Sequence, residues 1–233
     1  MNAQLPRIGA KRVIGFLINA LLPAPILFLL AGRADWWEAW VMTGLFVVVL
    51  FESRLLMVAR DPDLALERAN WKRQPAIAAG DKPLLVLVAL IGPFAQWVIA
   101  GLDKRWGGSP ALPPWLELAA FVIVALGYAL SAWAMAANRF FSAVVRIQAD
   151  RGHTLITRGP YRFVRHPGYA GGLLTYLAMP LALGTLWAFL PAFVIGIGLI
   201  VRAAREDRFL QRELAGYKDY ARQTRARLLP GIW

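Results

Sequence analysis

Hydrophobic residues in this chain lie in long stretches, separated by short segments rich in arginine. A helix rises about 1.5 Å per residue, so about 20 apolar residues cross a hydrocarbon core of about 30 Å. Six stretches approach that length, approximately 13–30, 36–58, 84–100, 115–137, 169–183 and 186–201. Only Gly184 and Thr185 separate the last two, which predicts a tight helical hairpin. The pattern predicts an all-α integral membrane protein with about six transmembrane helices.

The composition supports this class of protein. Hydrophobic residues make up 58% of the 233 residues and charged residues 17%, against about 45–50% and 25% in soluble domains. These figures argue against an ordinary soluble domain, and they exclude a disordered chain, collagen and a coiled coil. The chain contains no cysteine, which excludes a disulfide framework, a thiolate zinc site, an iron–sulfur cluster and a cysteine nucleophile.

Basic residues are distributed very unevenly between the predicted spans. If the N-terminus is cytoplasmic, 22 Lys and Arg residues lie inside and 3 outside, as the positive-inside rule favours. We therefore expect an integral protein of a prokaryotic cytoplasmic membrane with both termini cytoplasmic. This topology accounts for the net charge of +12, so we expect no nucleic-acid partner. The first stretch is long for a signal sequence and contains Pro23 and Pro25, and we interpret it as a span.

Two longer cytoplasmic loops interrupt the apolar stretches. Residues 60–73 form an amphipathic, mixed-charge segment that we expect to lie along the membrane surface. Residues 138–167 hold both histidines of the chain, His153 and His166. A helix is predicted to begin at Pro167, because proline suits the first helical position. We expect its first free amides, at residues 168–170, to form an anion site.

At the other end of the hairpin, the last apolar helix is predicted to continue beyond the bilayer. Arg202 and Glu206 lie four residues apart and share one face. The hairpin should return this face to His166 and to the aromatic residues Tyr161, Phe163 and Tyr169. Such a set suits a zwitterionic, cationic ligand with a flat ring. Each feature also has a simpler explanation. His166 could be a helix cap, the arginine runs beside the membrane could contact lipid headgroups, and Arg202 with Glu206 could form only a surface salt bridge.

The sequence G-P-Y-R-F-V-R-H-P-G-Y-A-G at 159–171, followed by R-x-x-x-E-D at 202–207, resembles the isoprenylcysteine carboxyl methyltransferase and phospholipid methyltransferase superfamily. The resemblance covers roughly residues 138–230. It implies a membrane enzyme that binds S-adenosylmethionine in a cytoplasmic pocket formed by the C-terminal half. It also divides the chain into a four-helix region, 1–137, and a methyltransferase region, 138–233.

The resemblance implies particular site residues. The implied cofactor-binding residues are Gln148, His153, Thr154, Leu155, Ile156, Tyr161, His166, Pro167, Gly168, Tyr169 and Glu206. The implied catalytic residues are His166, Tyr169, Arg202 and Glu206, with Arg202 also facing the acceptor. In two places the chain departs from the family pattern. Gly168 stands where many relatives have a larger residue, which suggests a wider pocket mouth, and Asp207 replaces a second Glu, which leaves the acidic role on Glu206.

Methyl transfer from a sulfonium is an in-line displacement, so the enzyme chiefly aligns donor and acceptor and excludes water. No metal is expected. A carboxylate acceptor needs no general base, whereas a thiol or an ammonium group must lose a proton, to His166, Tyr169 or Glu206. The expected partners are the lipid bilayer and a lipophilic or small acceptor: an isoprenylcysteine carboxylate-like group, a lipid amine or a thiol. Two alternatives are an NADPH-dependent membrane reductase of the sterol reductase type and a non-enzymatic membrane protein on a similar scaffold.

Overall fold

The computed structural model of the protein describes residues 10–70 and 80–233. The described residues form helices, turns and irregular segments, with no β-strand among them. The α-helices are α1 Ala10–Leu21, α2 Pro23–Ala31, α3 Trp37–Arg60, α4 Pro62–Ala69, α5 Asp81–Val86, α6 Gly92–Trp106, α7 Pro114–Ala137, α8 Pro167–Ala182, α9 Phe189–Glu213 and α10 Tyr217–Gln223. A π-helical turn, Leu87–Ile91, joins α5 to α6.

Within these described ranges, five helical segments are long and apolar enough to cross a membrane. They are Ile14–Ala31, Trp37–Ala59, Asp81–Trp106, Pro114–Ala137 and Leu186–Glu213. The remaining predicted span corresponds to α8, whose 16 residues extend about 24 Å, less than the thickness of a typical hydrocarbon core. The all-α membrane architecture with about six spans is confirmed, and α8 is its short member.

The cytoplasmic segment predicted after α3 contains a short helix, α4. The Asp61 side chain caps it by accepting a hydrogen bond of 2.9 Å from the amide of Leu64, as N-cap aspartates do. Leu64 is buried and Asp63 is exposed, in agreement with an amphipathic helix. The rest of this predicted segment, 71–73, lies outside the described residues.

Small residues bring α7 and α8 into close contact. A methyl group added at Gly127 would lie 2.6 Å from the carbonyl oxygen of Gly171, and one added at Gly171 would collide with the carbonyl oxygen of Gly127. Only glycine permits this approach of two backbones. The contact holds the first turns of α8, which carry the predicted site, against α7.

The helical hairpin predicted around Gly184 and Thr185 is present. Gly184 has a φ of 63°, a conformation that glycine adopts readily, and a 3-10 turn, Leu186–Ala188, leads into α9. The helix α9 continues without a break through Arg202 and Glu206. The hairpin therefore returns the end of α9 to the start of α8, where the candidate site lies.

Candidate active site

A cavity of about 340 Å³ lies where the loop after α7, the start of α8 and the end of α9 meet. Its volume falls within the range of about 300–1,000 Å³ that is typical of small-molecule sites. Residues before position 138 also contribute to its wall. They are Arg68, Leu85, Val88, Ala89 and Ser131. The N-terminal region therefore helps to form the cavity.

Of the eleven predicted cofactor-binding residues, ten line this cavity, as does Arg202. The exception is Gln148, which is buried behind the wall. Its amide nitrogen donates to the Phe140 carbonyl at 2.8 Å, and its amide oxygen accepts from Arg151 at 2.6 Å. Because both ends of this side chain are engaged, Gln148 supports the loop from behind.

Glu206 and Tyr169 face each other across the cavity wall. The Tyr169 hydroxyl donates a hydrogen bond of 2.5 Å to a Glu206 carboxylate oxygen. Among the described lining residues, Glu206 is the one carboxylate. A partly buried carboxylate of this kind attracts a cationic group of a ligand, because burial strengthens a charge-assisted hydrogen bond.

Arg202 forms an ion pair with Asp81. The surface salt bridge with Glu206, considered above as a simpler explanation, is not what the structure shows. Its guanidinium contacts the Asp81 carboxylate at 2.8 and 3.2 Å and also donates to the Ala143 carbonyl. Asp81 in turn accepts from the Val145 amide at 2.9 Å. This cluster ties the start of α5 and the loop after α7 to α9. The sequence offered one hint of Asp81, an acidic residue at the start of an apolar stretch.

Asp207 is the centre of a buried polar cluster behind the cavity. Its carboxylate accepts hydrogen bonds from Arg165 at 2.7 and 3.1 Å and from Arg227 at 3.0 Å. The Tyr217 hydroxyl donates to it at 3.1 Å, and the His166 Nε2 lies 3.3 Å away. Sequence reasoning missed Arg165, although it lies within the first motif, and Tyr217, which lies 10 residues after Asp207. Asp207 thus positions His166 in the cavity wall and anchors the chain after α10.

The predicted anion site at the start of α8 is smaller than expected. The carbonyl of His166 accepts hydrogen bonds from the amides of Tyr169 and Ala170, both at 3.1 Å. Two of the three amides that were expected to be free are therefore engaged within the helix. The prediction that α8 begins at Pro167 is correct.

The surroundings of the loop residue His153 favour its neutral form. Its ring lies against that of Phe140, with centroids 4.5 Å apart. Its Nδ1 accepts a hydrogen bond of 3.3 Å from the backbone N–H of Gln148. Burial lowers the pKa of His153 below its usual 6.5, and the charges of Arg146 and Arg151 lower it further. An uncharged imidazole is compatible with a role in holding a flat aromatic ligand.

Three of the positions singled out from the sequence remain, the aromatic residues Tyr161 and Phe163 and the glycine Gly168. Tyr161 lines the cavity, and burial raises the pKa of its hydroxyl, which therefore stays protonated. Phe163 is 62% exposed and does not converge on the cavity as expected. A methyl group at Gly168 would lie 2.7 Å from the Phe141 ring. The space beside Gly168 is therefore filled by Phe141, and this glycine does not widen the mouth of the cavity.

Comparisons with known proteins match the region that forms the cavity. Residues 115–216 match the family model of phospholipid methyltransferases. The chain is 31% identical over 136 residues to the cobalt-zinc-cadmium resistance protein CzcN of Cupriavidus metallidurans, covering 56% of this chain and 57% of that protein. It is 29% identical over 93 residues to protein-S-isoprenylcysteine O-methyltransferase B of Arabidopsis thaliana, covering 39% of this chain and 43% of that protein.

A third relative matches over a shorter region. A probable protein-S-isoprenylcysteine O-methyltransferase of Oryza sativa subsp. indica is 53% identical over 38 residues, which is 16% of this chain and 20% of the rice protein. The chain spans less than two thirds of the length of each of these relatives. The resemblance that the sequence motifs indicate is confirmed over residues 115–216. This matched region begins before residue 138, where the resemblance was expected to start.

Proposed function

We propose that this protein transfers a methyl group from S-adenosylmethionine to a lipophilic or small acceptor. The proposal starts from the match of residues 115–216 to the family model of phospholipid methyltransferases and from the similarity to an isoprenylcysteine O-methyltransferase. The observation that carries the proposal is the convergence of the two sequence motifs on one cavity. The first contributes His166 and Tyr169, and the second contributes Arg202 and Glu206.

The residues of the cavity suit S-adenosylmethionine. The Glu206 carboxylate would hold the ammonium group of the cofactor, because it is a partly buried anion in the wall. The rings of Phe140 and Tyr161 would contact the adenine. When bound, the cofactor supplies a methyl group on a positively charged sulfur, which is a strong electrophile.

The protein's own contribution is to orient the two reactants and to exclude water. The Asp207 cluster immobilises His166, and the Asp81 carboxylate immobilises Arg202, so neither side chain must reorganise during the reaction. If the acceptor is a carboxylate, no group needs to remove a proton. If it is a thiol or an ammonium, His166 and Glu206 are the candidate bases in the wall. The Tyr169 hydroxyl keeps its proton, which it donates in the hydrogen bond to Glu206.

We also propose that the cavity faces the cytoplasm and that both termini are cytoplasmic, in the membrane of a prokaryotic cell. The support for this orientation is the excess of basic residues in the segments that surround the cavity, including the loop 138–167 and the segment from residue 202 onward. In this arrangement the cofactor enters from the cytosol, while a lipophilic acceptor reaches the site from the bilayer.

The test is calorimetry of the purified chain in detergent with S-adenosylmethionine, its demethylated product and NADPH. We expect heat with the first two ligands and none with NADPH. Heat with NADPH alone would instead support a membrane reductase. Incubation of membrane extracts with methyl-labelled cofactor, followed by identification of the labelled product, would then reveal the acceptor.

A further inference from the structure

A second cavity, a groove of about 500 Å³, lies directly beside the candidate active site. Its outer wall is formed by the apolar helices α3, α5 and α7 and by the π-helical turn after α5, including Val49, Leu50, Leu90 and Ala132. The two cavities share part of their walls. The shared residues are Arg68, Leu85, Ala89, Ser131, Phe141, Ala143, Gly172 and Tyr176. The groove therefore runs from the membrane-spanning helices to the reaction site.

Arg68 of α4 stands at the junction of the two cavities. Its guanidinium donates to the Phe141 carbonyl at 3.0 Å and lies 5.5 Å from the centre of the Phe141 ring. No carboxylate of residues 10–70 and 80–233 forms an ion pair with it. The sequence outside these ranges, 1–9 and 71–79, contains no Asp or Glu.

The surroundings of Arg68 make its charge costly. Burial, together with the like charges of Arg54 and Arg202, lowers the pKa of Arg68 to about 10. The guanidinium still carries its charge at neutral pH. A partly buried cation without an anionic partner is unfavourable, and a ligand that brings an anion to this point removes the penalty.

We propose that Arg68 is a specificity-determining residue that holds an anionic group of the methyl acceptor, while the acceptor's apolar chain occupies the groove. This inference rests on the proposed function. The guanidinium fork matches the planar geometry of a carboxylate and also binds phosphate. The anionic group that Arg68 holds is therefore a carboxylate or a phosphate.

The acceptor, and not the cofactor, is the source of this anion, because Arg68 lies on the side of the active site that opens into the groove. The wall of the groove beyond the active-site cavity is mainly apolar, including Val49, Leu50, Val86 and Leu90. Such a wall suits an aliphatic chain and not the polar end of a water-soluble cofactor.

The test measures binding of tritiated hexadecanoate, hexadecyl phosphate and hexadecan-1-ol to the full chain in nanodiscs, with empty nanodiscs as background. We expect the wild-type chain to bind one or both anions about tenfold more tightly than the alcohol. Arg68→Gln should reduce this ratio to near one, and Arg68→Lys should retain most of it because the charge remains. The matched control is Arg222→Gln, since the Arg222 side chain is 81% exposed and should leave the ratio unchanged.

A separate titration with S-adenosylmethionine distinguishes the two sources of an anion. We expect Arg68→Gln to bind the cofactor with unchanged affinity. Equal binding of anions and alcohol by the wild-type chain, or a ratio that survives Arg68→Gln, would overturn the proposal. Weaker cofactor binding by Arg68→Gln would overturn it too, by assigning Arg68 to the cofactor. If the wild-type chain does not bind the cofactor at all, the proposed function fails, while the hexadecanoate measurement still decides the role of Arg68.

Discussion

The Tyr169 hydroxyl donates a hydrogen bond of 2.5 Å to the carboxylate of Glu206, and so joins the first turn of α8 to α9. The two residues are 37 positions apart and lie on opposite arms of the helical hairpin. Arg202, one turn before Glu206, is held separately by Asp81. The acidic and basic members of the second motif therefore have different partners, and mutations can separate their roles.

Glu206→Gln tests the role of the acidic residue of the second motif in cofactor binding. If Glu206 holds the cofactor's ammonium group, losing the charge-assisted bond should cost about 1.5–3 kcal/mol of binding, or roughly tenfold to a hundredfold in affinity. Calorimetric titration with S-adenosylmethionine in one detergent measures this effect. Glu213→Gln is the matched control, because Glu213 lies on the same helix and is exposed. Equal dissociation constants for wild type and Glu206→Gln would remove Glu206 from the site.

Asp207→Asn tests the polar cluster behind the cavity. The substitution leaves the buried Arg165 without its carboxylate, and breaking such a buried pair costs about 3–5 kcal/mol. We expect a clearly lower midpoint of thermal unfolding in detergent. Asp219→Asn should leave the midpoint unchanged, because its partner Arg222 and its own side chain are exposed. A stable Asp207→Asn protein would show that the cluster contributes little to folding.

Gly171→Ala tests the contact between α7 and α8. The added methyl group collides with the backbone of Gly127, so the helices must separate, at a cost of about 1–3 kcal/mol. At the neighbouring Gly172 the new methyl group would lie 3.3 Å from the end of the flexible Leu199 side chain. Thermal unfolding should therefore show a larger loss for Gly171→Ala than for Gly172→Ala. Equal losses would contradict the proposed close approach.

His153 should make the loop after α7 sensitive to acid. Its pKa is lowered in the folded chain, so the unfolded chain binds a proton more readily as the pH falls. The stability associated with neutral His153 is therefore complete above about pH 6.5 and is lost as the pH falls below that value. His153→Phe keeps the ring against Phe140 but cannot be protonated.

The measurement for His153 is the unfolding midpoint at pH 7.5 and at pH 5.5 for both proteins. The wild-type midpoint should fall more between these values than that of His153→Phe. The difference between the two falls in midpoint is due to His153, because both proteins contain His166 and the same acidic residues. Identical pH dependence would exclude His153 as the sensitive group.

The proposed orientation predicts the location of two reporter fusions. A reporter inserted at Gly108, between α6 and α7, should lie outside the cell, and one fused to the C-terminus should lie in the cytoplasm. The reason is the strong excess of basic residues in the segments placed inside. Paired alkaline phosphatase and green fluorescent protein fusions report the two compartments. The same compartment for both sites would contradict the topology.

The positions of the membrane helices, the hairpin at Gly184 and the helix start at Pro167 could be predicted from the sequence. These features depend on local properties. A long apolar stretch cannot leave its backbone groups unpaired in lipid, proline favours a helix start, and glycine permits the turn. Each of the two motifs that carry the resemblance to the superfamily is contiguous in the chain, so both are visible without a structure.

The partners of the charged residues could be decided only by the tertiary structure. Arg202 and Glu206 share a helix face, and helical periodicity indicates that they can meet. It does not indicate which other helix faces them. Asp81 is 121 positions from Arg202, and Arg68 reaches the cavity from a segment outside both motifs. Such contacts depend on how close the helices approach, as at Gly127 and Gly171, and a buried charge pairs with whichever opposite charge that packing brings within reach.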